Sequence, residues 1–204
     1  MKVLLINGSP NNDGCTFTAL TEVASALNAN GIETEFFWIG KEAQRGCLGC
    51  GECWKFGKCI FDGDLCNELV EKIKTSDGII VGSPVYYAGP NGALCALLDR
   101  VFFSGSGGFA HKPAACIVSC RRGGASSAFD RLNKYFTISQ MPVVSSQYWN
   151  AVHGNTPEEV RRDLEGLQIM RTLGNNMACL IKNIKKGDPP PEPEKERFWT
   201  NFHD

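Results

Sequence analysis

Four cysteines between residues 47 and 59 have the type and the spacing to hold an inorganic centre. Cys47, Cys50, Cys53 and Cys59 form a Cys-x2-Cys-x2-Cys-x5-Cys pattern. Three thiolates at two-residue gaps can surround one small cluster, and a fourth from a short loop completes the set, as in many [4Fe–4S] centres. Glycines supply the backbone freedom that such a tight turn of the chain needs: Gly46, Gly49, Gly51 and Gly57. The segment 46–61 is therefore predicted to be a cluster-binding loop.

Two other interpretations of this cysteine run stay open from the residues alone. Structural zinc usually takes two Cys pairs, or a Cys pair and a His pair, separated by a longer segment than the one found here. The four thiols could also be free or redox-active without any metal. We expect the [4Fe–4S] cluster and keep metal-free thiols and zinc as the alternatives.

The loop after the first apolar run has the composition of an anion-binding turn. Residues 3–6 are a short apolar run, and residues 7–16 are small, polar and often hydroxyl-bearing, without Lys or Arg. A helical pattern follows, and the first turn of a helix presents unpaired N–H groups at its positive end. The loop could thus hold a phosphate through neutral donors. An ordinary βα turn is the alternative, since the pattern is neither a P-loop nor Gly-x-Gly-x-x-Gly.

Apolar runs and helical patterns alternate along the chain. Strands are predicted at residues 3–6, 33–39, 79–82, 114–119 and 141–146, and helices at 17–27, 65–73, 93–103, 125–136 and 157–185. This alternation implies right-handed βαβ crossovers and a parallel sheet with helices on both faces. Ligands of such sheets bind at the carboxyl ends of the strands. The first, third and fourth strands all end in glycine-rich loops, which we expect to meet at one edge.

Several motifs, in order, resemble those of the flavodoxin-like NAD(P)H-dependent FMN reductases, and within that group those of the iron–sulfur flavoproteins. The motifs are Asn7-Gly8-Ser9-Pro10 with Thr16, the cysteine run, Gly82-Ser83-Pro84-Val85-Tyr86-Tyr87 and Leu97-Leu98-Asp99-Arg100. The resemblance extends to about residue 185. It implies a doubly wound, five-stranded α/β sheet of order 2-1-3-4-5, with FMN at the edge of strands one and three.

The resemblance also implies which residues bind FMN. The phosphate would be held by the first loop: Ser9, Asn11, Gly14, Cys15 and Thr16. Cys15 stands where Asn or Ser is commoner, so its N–H rather than its thiol is expected to contribute. The ribityl chain and the isoalloxazine ring would lie against the second loop: Pro84, Val85, Tyr86, Tyr87 and Gly89. The third loop would face the ring's pyrimidine end, where positive charge favours the reduced flavin: Cys120, Arg121, Arg122, Gly123 and Gly124.

Length and charge limit the classes of function. The 204 residues suit one domain, and 21 basic against 22 acidic residues give a net charge of −1, which does not favour binding to nucleic acid or to an anionic membrane. No apolar run is long enough to span a bilayer, and no signal peptide is evident, so we expect a cytosolic protein. Its ten cysteines are then thiols, metal ligands or redox groups rather than disulfides.

The end of the chain changes character. Residues 1–186 are predicted to form the flavodoxin-like domain, and the Pro- and Glu-rich segment 187–204 an extended arm. The arm carries Phe198, Trp199 and Phe202, which could cover its own domain or a neighbouring subunit. The resemblance implies that a second subunit covers the flavin, so we expect a homodimer or homotetramer.

The function expected from these features is electron transfer by an FMN protein. As an enzyme it would take hydride from transiently bound NAD(P)H and reduce a quinone, free flavin, a nitro or azo compound, or a metal ion. No side chain is needed as catalytic acid or base. The competing function is an electron carrier that exchanges electrons with a ferredoxin-type protein through the cluster. A flavin-free scaffold that uses its cysteine loop to bind a metal or a partner is the third possibility.

Overall fold

The computed structural model describes residues 1–192, 198 and 200. Its strands are β1 Lys2–Asn7, β2 Glu33–Trp38, β3 Gly78–Tyr86, β4 Gly89–Pro90, β5 Ala114–Cys120 and β6 Ala151–His153. Its helices are α1 Cys15–Ala29, α2 Cys53–Phe56, α3 Leu65–Lys74, α4 Gly92–Gly105, α5 Ala125–Ile138, α6 Pro157–Arg162 and α7 Leu164–Lys186. A short 3-10 turn, Ser106–Gly108, follows α4.

The strands form a parallel sheet in the order β2-β1-β3-β5-β6, and the two-residue β4 pairs antiparallel with β3. When β4 is set aside as a hairpin partner, this order is the predicted 2-1-3-4-5. The predicted α/β fold class is thus confirmed. All of β1, β3 and β5 end at the same sheet edge, because parallel strands share their direction.

The sheet separates two apolar cores, as the alternation of side chains along β1 requires. Leu4 and Ile6 pack on the face covered by α3, α4 and α5, while Val3 and Leu5 pack under α1 and α7. These four side chains are fully buried, which explains why β1 reads as a continuous apolar run.

The predicted strand at residues 141–146 was wrong in position. Only one isolated bridge joins Val143 to Ala114, and the Val144 N–H donates to the Ala114 carbonyl at 2.8 Å. The chain then turns, with the Ser146 hydroxyl donating to the Tyr148 carbonyl, and pairs with β5 again only from Ala151 to His153. The alternating burial of residues 143 and 144 resembles that of a strand, but the turn ends the pairing.

The last predicted helix, 157–185, is two helices in the structure. The break falls at Asp163, whose carboxylate accepts a hydrogen bond from the Gly166 N–H at 3.0 Å and so caps α7. An acidic N-cap explains the new start, because it satisfies an N–H group of the first helical turn.

The predicted arm, residues 187–204, stays a prediction. Helix α7 ends at Lys186, and Trp199 and Phe202 lie outside the described residues.

Within residues 1–192, no helix combines the length and the apolar character that crossing a bilayer requires.

Candidate functional site

The first strand-end loop, residues 8–14, is held in shape by buried polar side chains. The Asn7 Oδ1 atom accepts from the Ser9 N–H at 3.1 Å, and Asn7 Nδ2 donates to the Asn12 carbonyl at 3.2 Å. The Ser9 hydroxyl accepts from the Asn11 N–H at 3.1 Å, and Trp38 Nε1 donates to the Ser9 carbonyl at 2.7 Å. The loop is therefore held in one conformation by hydrogen bonds from the protein itself.

Helix α1 begins at this loop with Gly14 as its N-cap, and no side chain caps its first turn. The N–H groups of that turn are therefore suited to an external anion. The Thr16 side chain is buried, and its hydroxyl lies 2.9 Å from the Ser119 hydroxyl. In this arrangement the Thr16 hydroxyl is engaged with Ser119, and its N–H belongs to the uncapped first turn of α1. The Cys15 thiol contacts the Gly154 carbonyl at 3.9 Å.

The second strand-end loop is a tight hairpin between β3 and β4. Its two central residues, Tyr87 and Ala88, have φ angles of 49° and 60°. Turns of this kind favour Asn and Gly, so two ordinary residues at positive φ cost free energy that the surroundings must offset. The ring of Tyr86 is about half exposed and that of Tyr87 fully exposed, whereas Pro84 lies at the strand end, partly buried.

The third strand-end loop, residues 121–124, packs against that hairpin. A Cβ atom on Gly124, at φ 90°, would lie 2.7 Å from the Ala88 Cα. The Ser127 hydroxyl at the start of α5 donates to the Ala88 carbonyl at 2.6 Å. Arg121 and Arg122 are exposed beside these contacts. The third loop thus supports the strained turn of the second.

The first and second loops are joined as well. The Gly8 N–H donates to the Gly82 carbonyl at 2.8 Å. Asn91, which caps α4, donates from Nδ2 to the Gly8 carbonyl at 2.7 Å, and its N–H donates to the Ser83 hydroxyl at 3.0 Å. The three loops therefore form one continuous surface at the carboxyl edge of β1, β3 and β5. Small residues, free helix-start N–H groups and exposed aromatic rings are the donor set and surface that a phosphate-bearing flavin requires.

Cys120 lies at the end of β5, and its thiol contacts the Arg122 carbonyl at 3.6 Å. Burial raises the pKa of this thiol. It is therefore a protonated, weakly polar group at neutral pH rather than a reactive thiolate.

A cleft of about 290 Å³ lies on the other side of the third loop, between the start of α5 and the start of α7. Its walls include the rings of Phe129, Tyr148 and Trp149 together with the charged side chains of Arg122 and Glu165. Tyr148 and Trp149 pack together with ring centroids 5.0 Å apart. Asp163 and His153 line the cleft as well, so aromatic walls and charged side chains meet in it. Apolar walls with a few placed polar groups are typical of small-molecule sites.

The four cysteines of the predicted cluster loop line one small cavity of about 20 Å³. Cys53 lies at the start of the short helix α2, and its thiol is 4.0 Å from the Phe103 carbonyl. Burial raises the pKa of the Cys53 thiol, and the negative charges of Cys47, Cys50 and Cys59 act in the same direction, as expected of neighbouring thiols. The structure thus brings together the four residues that the spacing singled out.

The thiols do not converge on a single point. Among residues 1–192, no three His, Cys, Asp or Glu side chains lie close enough to one another to bind one metal ion. A tetrahedral zinc site needs sulfurs about 2.3 Å from the ion, and so close together. Four Cys sulfurs are the donor set that both a [4Fe–4S] cluster and a structural zinc ion use, so the chemistry of the lining residues fits either group.

Helix α4 supplies the other wall of the cysteine cavity through Arg100, Phe103 and Ser104. Arg100 lies nine residues along the helix from Asn91, which is about 14 Å at 1.5 Å per residue. Helix α4 therefore extends from the strand-end loops at Asn91 to the cysteine cavity at Arg100.

Sequence reasoning missed the residues that hold the loops. Asn7 and Trp38 hold the first loop, and Asn91 connects it to the second. For the two asparagines the available signal was an amide directly after a buried strand or before a helix. Arg100 entered the sequence analysis only as part of the motif Leu97-Leu98-Asp99-Arg100, and its position at the cysteine cavity was not predicted.

Comparison with known proteins agrees with this architecture. The sequence profile of the NADPH-dependent FMN reductase family matches residues 1–156. An iron–sulfur flavoprotein of Methanocaldococcus jannaschii is 35% identical over 199 residues, which span 91% of this chain and 100% of that protein.

Two solved structures share the fold. The crystal structure of RosB with the bound intermediate 8-demethyl-8-formylriboflavin-5'-phosphate has a TM-score of 0.74 at 16% identity, covering 91% of this chain and 81% of that one. A flavodoxin from the domain Archaea has a TM-score of 0.59 at 14% identity, covering 90% and 100%. The sheet is thus flavodoxin-like, and the chain belongs to the NADPH-dependent FMN reductase family of flavin-dependent oxidoreductases.

Proposed function

We propose that this protein binds FMN across its three strand-end loops and transfers electrons from NAD(P)H to a small-molecule acceptor. The observation that carries the proposal is the continuous surface these loops form, in which Asn91 bonds the first loop and Gly124 packs against the second. FMN, when bound, supplies the redox chemistry, and the protein supplies binding, orientation and electrostatics.

The first loop would hold the phosphate. Ser9 and Asn11 lie in the preorganised turn, and the N–H groups of Cys15 and Thr16 belong to the uncapped start of α1 after Gly14. The helix dipole adds a favourable interaction with an anion at this position.

The second and third loops would bind the ribityl chain and the ring. The exposed Tyr86 and Tyr87 offer stacking area, and Pro84, Val85 and Gly89 form the body of the hairpin. On the other side, Cys120, Gly123 and Gly124 would border the ring, and Arg121 or Arg122 would bring positive charge to it. That charge would stabilise a reduced, anionic ring.

The cleft beside the third loop is our candidate for the acceptor site. It shares Arg122 and the Gly123–Gly124 backbone with the proposed flavin site, and Phe129 and Trp149 would contact a planar ring. Quinones, free flavin, and nitro or azo aromatic compounds all carry flat rings that the aromatic walls would contact and polar substituents that the charged side chains of the cleft would face. A metal ion stays a further candidate acceptor, since outer-sphere electron transfer to an ion needs no binding pocket.

We also propose that Cys47, Cys50, Cys53 and Cys59 hold a [4Fe–4S] cluster. The shared cavity supports this proposal, and so does the name of the Methanocaldococcus jannaschii relative, an iron–sulfur flavoprotein. Metal-free thiols and zinc remain the alternatives. The same cavity favours a second candidate function, an electron carrier that serves a ferredoxin-type protein, because the cysteine loop is exposed at Cys47 and Cys50.

The FMN proposal is tested by adding one negative charge to the first loop. Asn11 is exposed, so Asn11→Asp should leave the fold intact and place a carboxylate against the phosphate. We expect FMN affinity to fall at least tenfold, about 1.4 kcal/mol. Ser25→Asp adds the same charge on an exposed position later in α1 and is the matched control. Equal FMN affinity in both variants and the wild type would show that the FMN phosphate does not bind at this loop.

The enzyme and carrier functions are separated by kinetics on anaerobically purified protein. Steady-state oxidation of NAD(P)H with a quinone or free FMN as acceptor supports the enzyme. Reduction by ferredoxin without NAD(P)H turnover supports the carrier instead. If the protein showed no flavin spectrum after reconstitution with FMN, only the third function, a flavin-free scaffold that binds a metal or a partner, would remain.

The cluster is tested on the same preparation by iron analysis. We expect about four irons per chain, and loss of iron with FMN retained when any one of the four cysteines becomes Ser. Cys66→Ser and Cys179→Ser are the controls, since neither lines the cavity. Full FMN, no iron and four freely titrating thiols in the wild type would contradict the cluster.

A further inference from the structure

Arg100 is a buried cation at the wall of the cysteine cavity. Its side chain is about 1% exposed, although it carries a charge whose burial is costly unless it is well paired. It sits on α4 and lines the same cavity as the four cysteines. Packing alone does not explain why a charged side chain is buried at this position.

The guanidinium group makes a set of specific contacts. Nη1 donates to Asp64 Oδ2 at 2.5 Å, and Nη2 donates to Asp64 Oδ1 at 3.2 Å. Nη2 also lies 3.3 Å from the Phe61 carbonyl and 3.3 Å from the Cys59 sulfur. Burial alone would lower the pKa of Arg100, but its hydrogen bonds to Asp64 and Cys59 raise it, so the group stays charged.

The ion pair with Asp64 does not by itself account for Arg100. Replacing a buried ion pair by apolar residues is often neutral or stabilising, so stability is a weak reason to keep one. Asp64 already has a role as the N-cap of α3, where it accepts from the Cys66 N–H at 3.0 Å. Arg100 Nε, moreover, has no acceptor within the described residues.

The charge balance of the cavity points to the sulfurs. Apart from the four cysteines and Arg100, the lining residues are neutral: Leu48, Gly51, Ile60, Phe61, Phe103 and Ser104. Four thiolates would concentrate negative charge there, and Arg100 is the cation in direct contact with one of them. Hydrogen bonds and positive charge near cluster sulfurs raise the reduction potential, because they stabilise the more negative, reduced form.

We infer that Arg100 is a positioning residue for the proposed iron–sulfur centre: it holds the Cys59 sulfur on the cavity wall and raises the centre's reduction potential. This inference rests on the proposed four-cysteine centre. Asp64 anchors the guanidinium and partly cancels its charge. The two residues therefore act on the potential with opposite signs.

The test measures iron retention and midpoint potential in anaerobically purified variants. Arg100→Met keeps an apolar stem but removes the charge and the bond to Cys59, so the potential should become more negative and a chelator should remove iron about 10- to 100-fold faster. Arg100→Lys keeps the charge but not the paired donors, so its midpoint potential and its rate of iron release should lie between those of the wild type and Arg100→Met. Arg45→Met is the matched control, because Arg45 is exposed and stacks on the same Phe61 ring, 4.6 Å from its centre.

Asp64→Asn keeps the inference testable if Arg100→Met does not fold. Asn is also a good N-cap, so α3 should persist, while Arg100 loses its neutralising partner. The potential should then shift in the positive direction, opposite to Arg100→Met, which a purely structural role does not predict.

Two results overturn the inference, and the wild type tells them apart. Loaded wild type, Arg100→Met and Asp64→Asn proteins with equal potentials and equal iron release contradict the role of Arg100 alone. Wild-type protein that holds no iron after anaerobic reconstitution contradicts the four-cysteine centre, and this inference with it.

Discussion

Gly124 and Ala88 are in backbone contact across two loops that lie 36 positions apart in the chain. A Cβ on Gly124 would come within 2.7 Å of the Ala88 Cα and 3.0 Å of its Cβ. The third loop therefore has room only for a hydrogen at this point, and the position of the hairpin depends on it.

Gly124→Ala should lower both stability and FMN affinity. The residue has φ 90°, so any side chain is strained there, by roughly 1–2 kcal/mol before the clash with Ala88 is counted. FMN titration and urea unfolding measure the two effects. Gly107→Ala, in the 3-10 turn after α4, is the matched control, since its Cβ would meet nothing within 4 Å. An unchanged FMN affinity in Gly124→Ala would show that the hairpin position does not matter for the flavin.

Thr16→Val separates a structural role of the hydroxyl from phosphate binding. Because this hydroxyl lies 2.9 Å from that of Ser119, its loss should cost about 1 kcal/mol of unfolding free energy and leave FMN affinity within about twofold. The double variant with Ser119→Ala should cost less than the sum of the two single changes. A large loss of FMN affinity would instead mean that the hydroxyl reaches the phosphate.

Glu35 gives a pH dependence of known sign. Hydrogen bonds from Lys2 and Lys72, at 2.8 and 2.6 Å, lower the pKa of this carboxyl from its ordinary value of 4.5. A lowered folded-state pKa stabilises the protein above about pH 4.5 and loses that contribution as the pH falls through the folded value. Glu35→Gln should therefore destabilise at pH 7 and much less at pH 3, by urea unfolding of both proteins.

Glu33→Gln is the control for that measurement. Glu33 is exposed on the same strand and has no ion pair among the described residues. A stability difference between wild type and Glu35→Gln that stays constant from pH 7 to pH 3 would contradict the assigned ion pair.

We propose that the protein is at least a dimer and that its aromatic tail takes part. Tyr87 is fully exposed at the hairpin tip, as is most of Phe198, and exposed aromatic rings are enriched where subunits meet. Light scattering at high micromolar concentration should give a dimer or tetramer with FMN bound. Truncation after Lys186 should lower the oligomeric state without removing the flavin-binding loops. A flavin-loaded monomer of the full chain would contradict the proposal.

Much of the fold could be predicted because its signals are local and periodic. The apolar run of β1 and the Asp64 cap of α3 both follow from neighbouring residues, and the sheet order followed from the family resemblance. The strand after α5 was misplaced because residues 143 and 144 alternate in burial although a turn soon ends their pairing.

The sites were less accessible to prediction because they depend on contacts between distant segments. The cysteine spacing identified one wall of the cavity, but nothing in it indicates that Arg100, 41 positions after Cys59, forms the other. The inward direction of Thr16 likewise depends on Ser119, which lies on another strand. The hydrophobic periodicity of a sequence does not indicate which distant residues contact each other.

Helix α4 contacts both sites. Its N-cap, Asn91, bonds the first loop of the proposed flavin site, and Arg100 and Phe103 in its later turns line the cysteine cavity. One inserted or deleted residue between them would rotate one end against the other by about 100° and carry Arg100 away from the cysteines. The number of residues in this stretch is thus fixed by geometry in a way that loop lengths are not. Homologous chains that keep both sites should differ there by substitution and not by length.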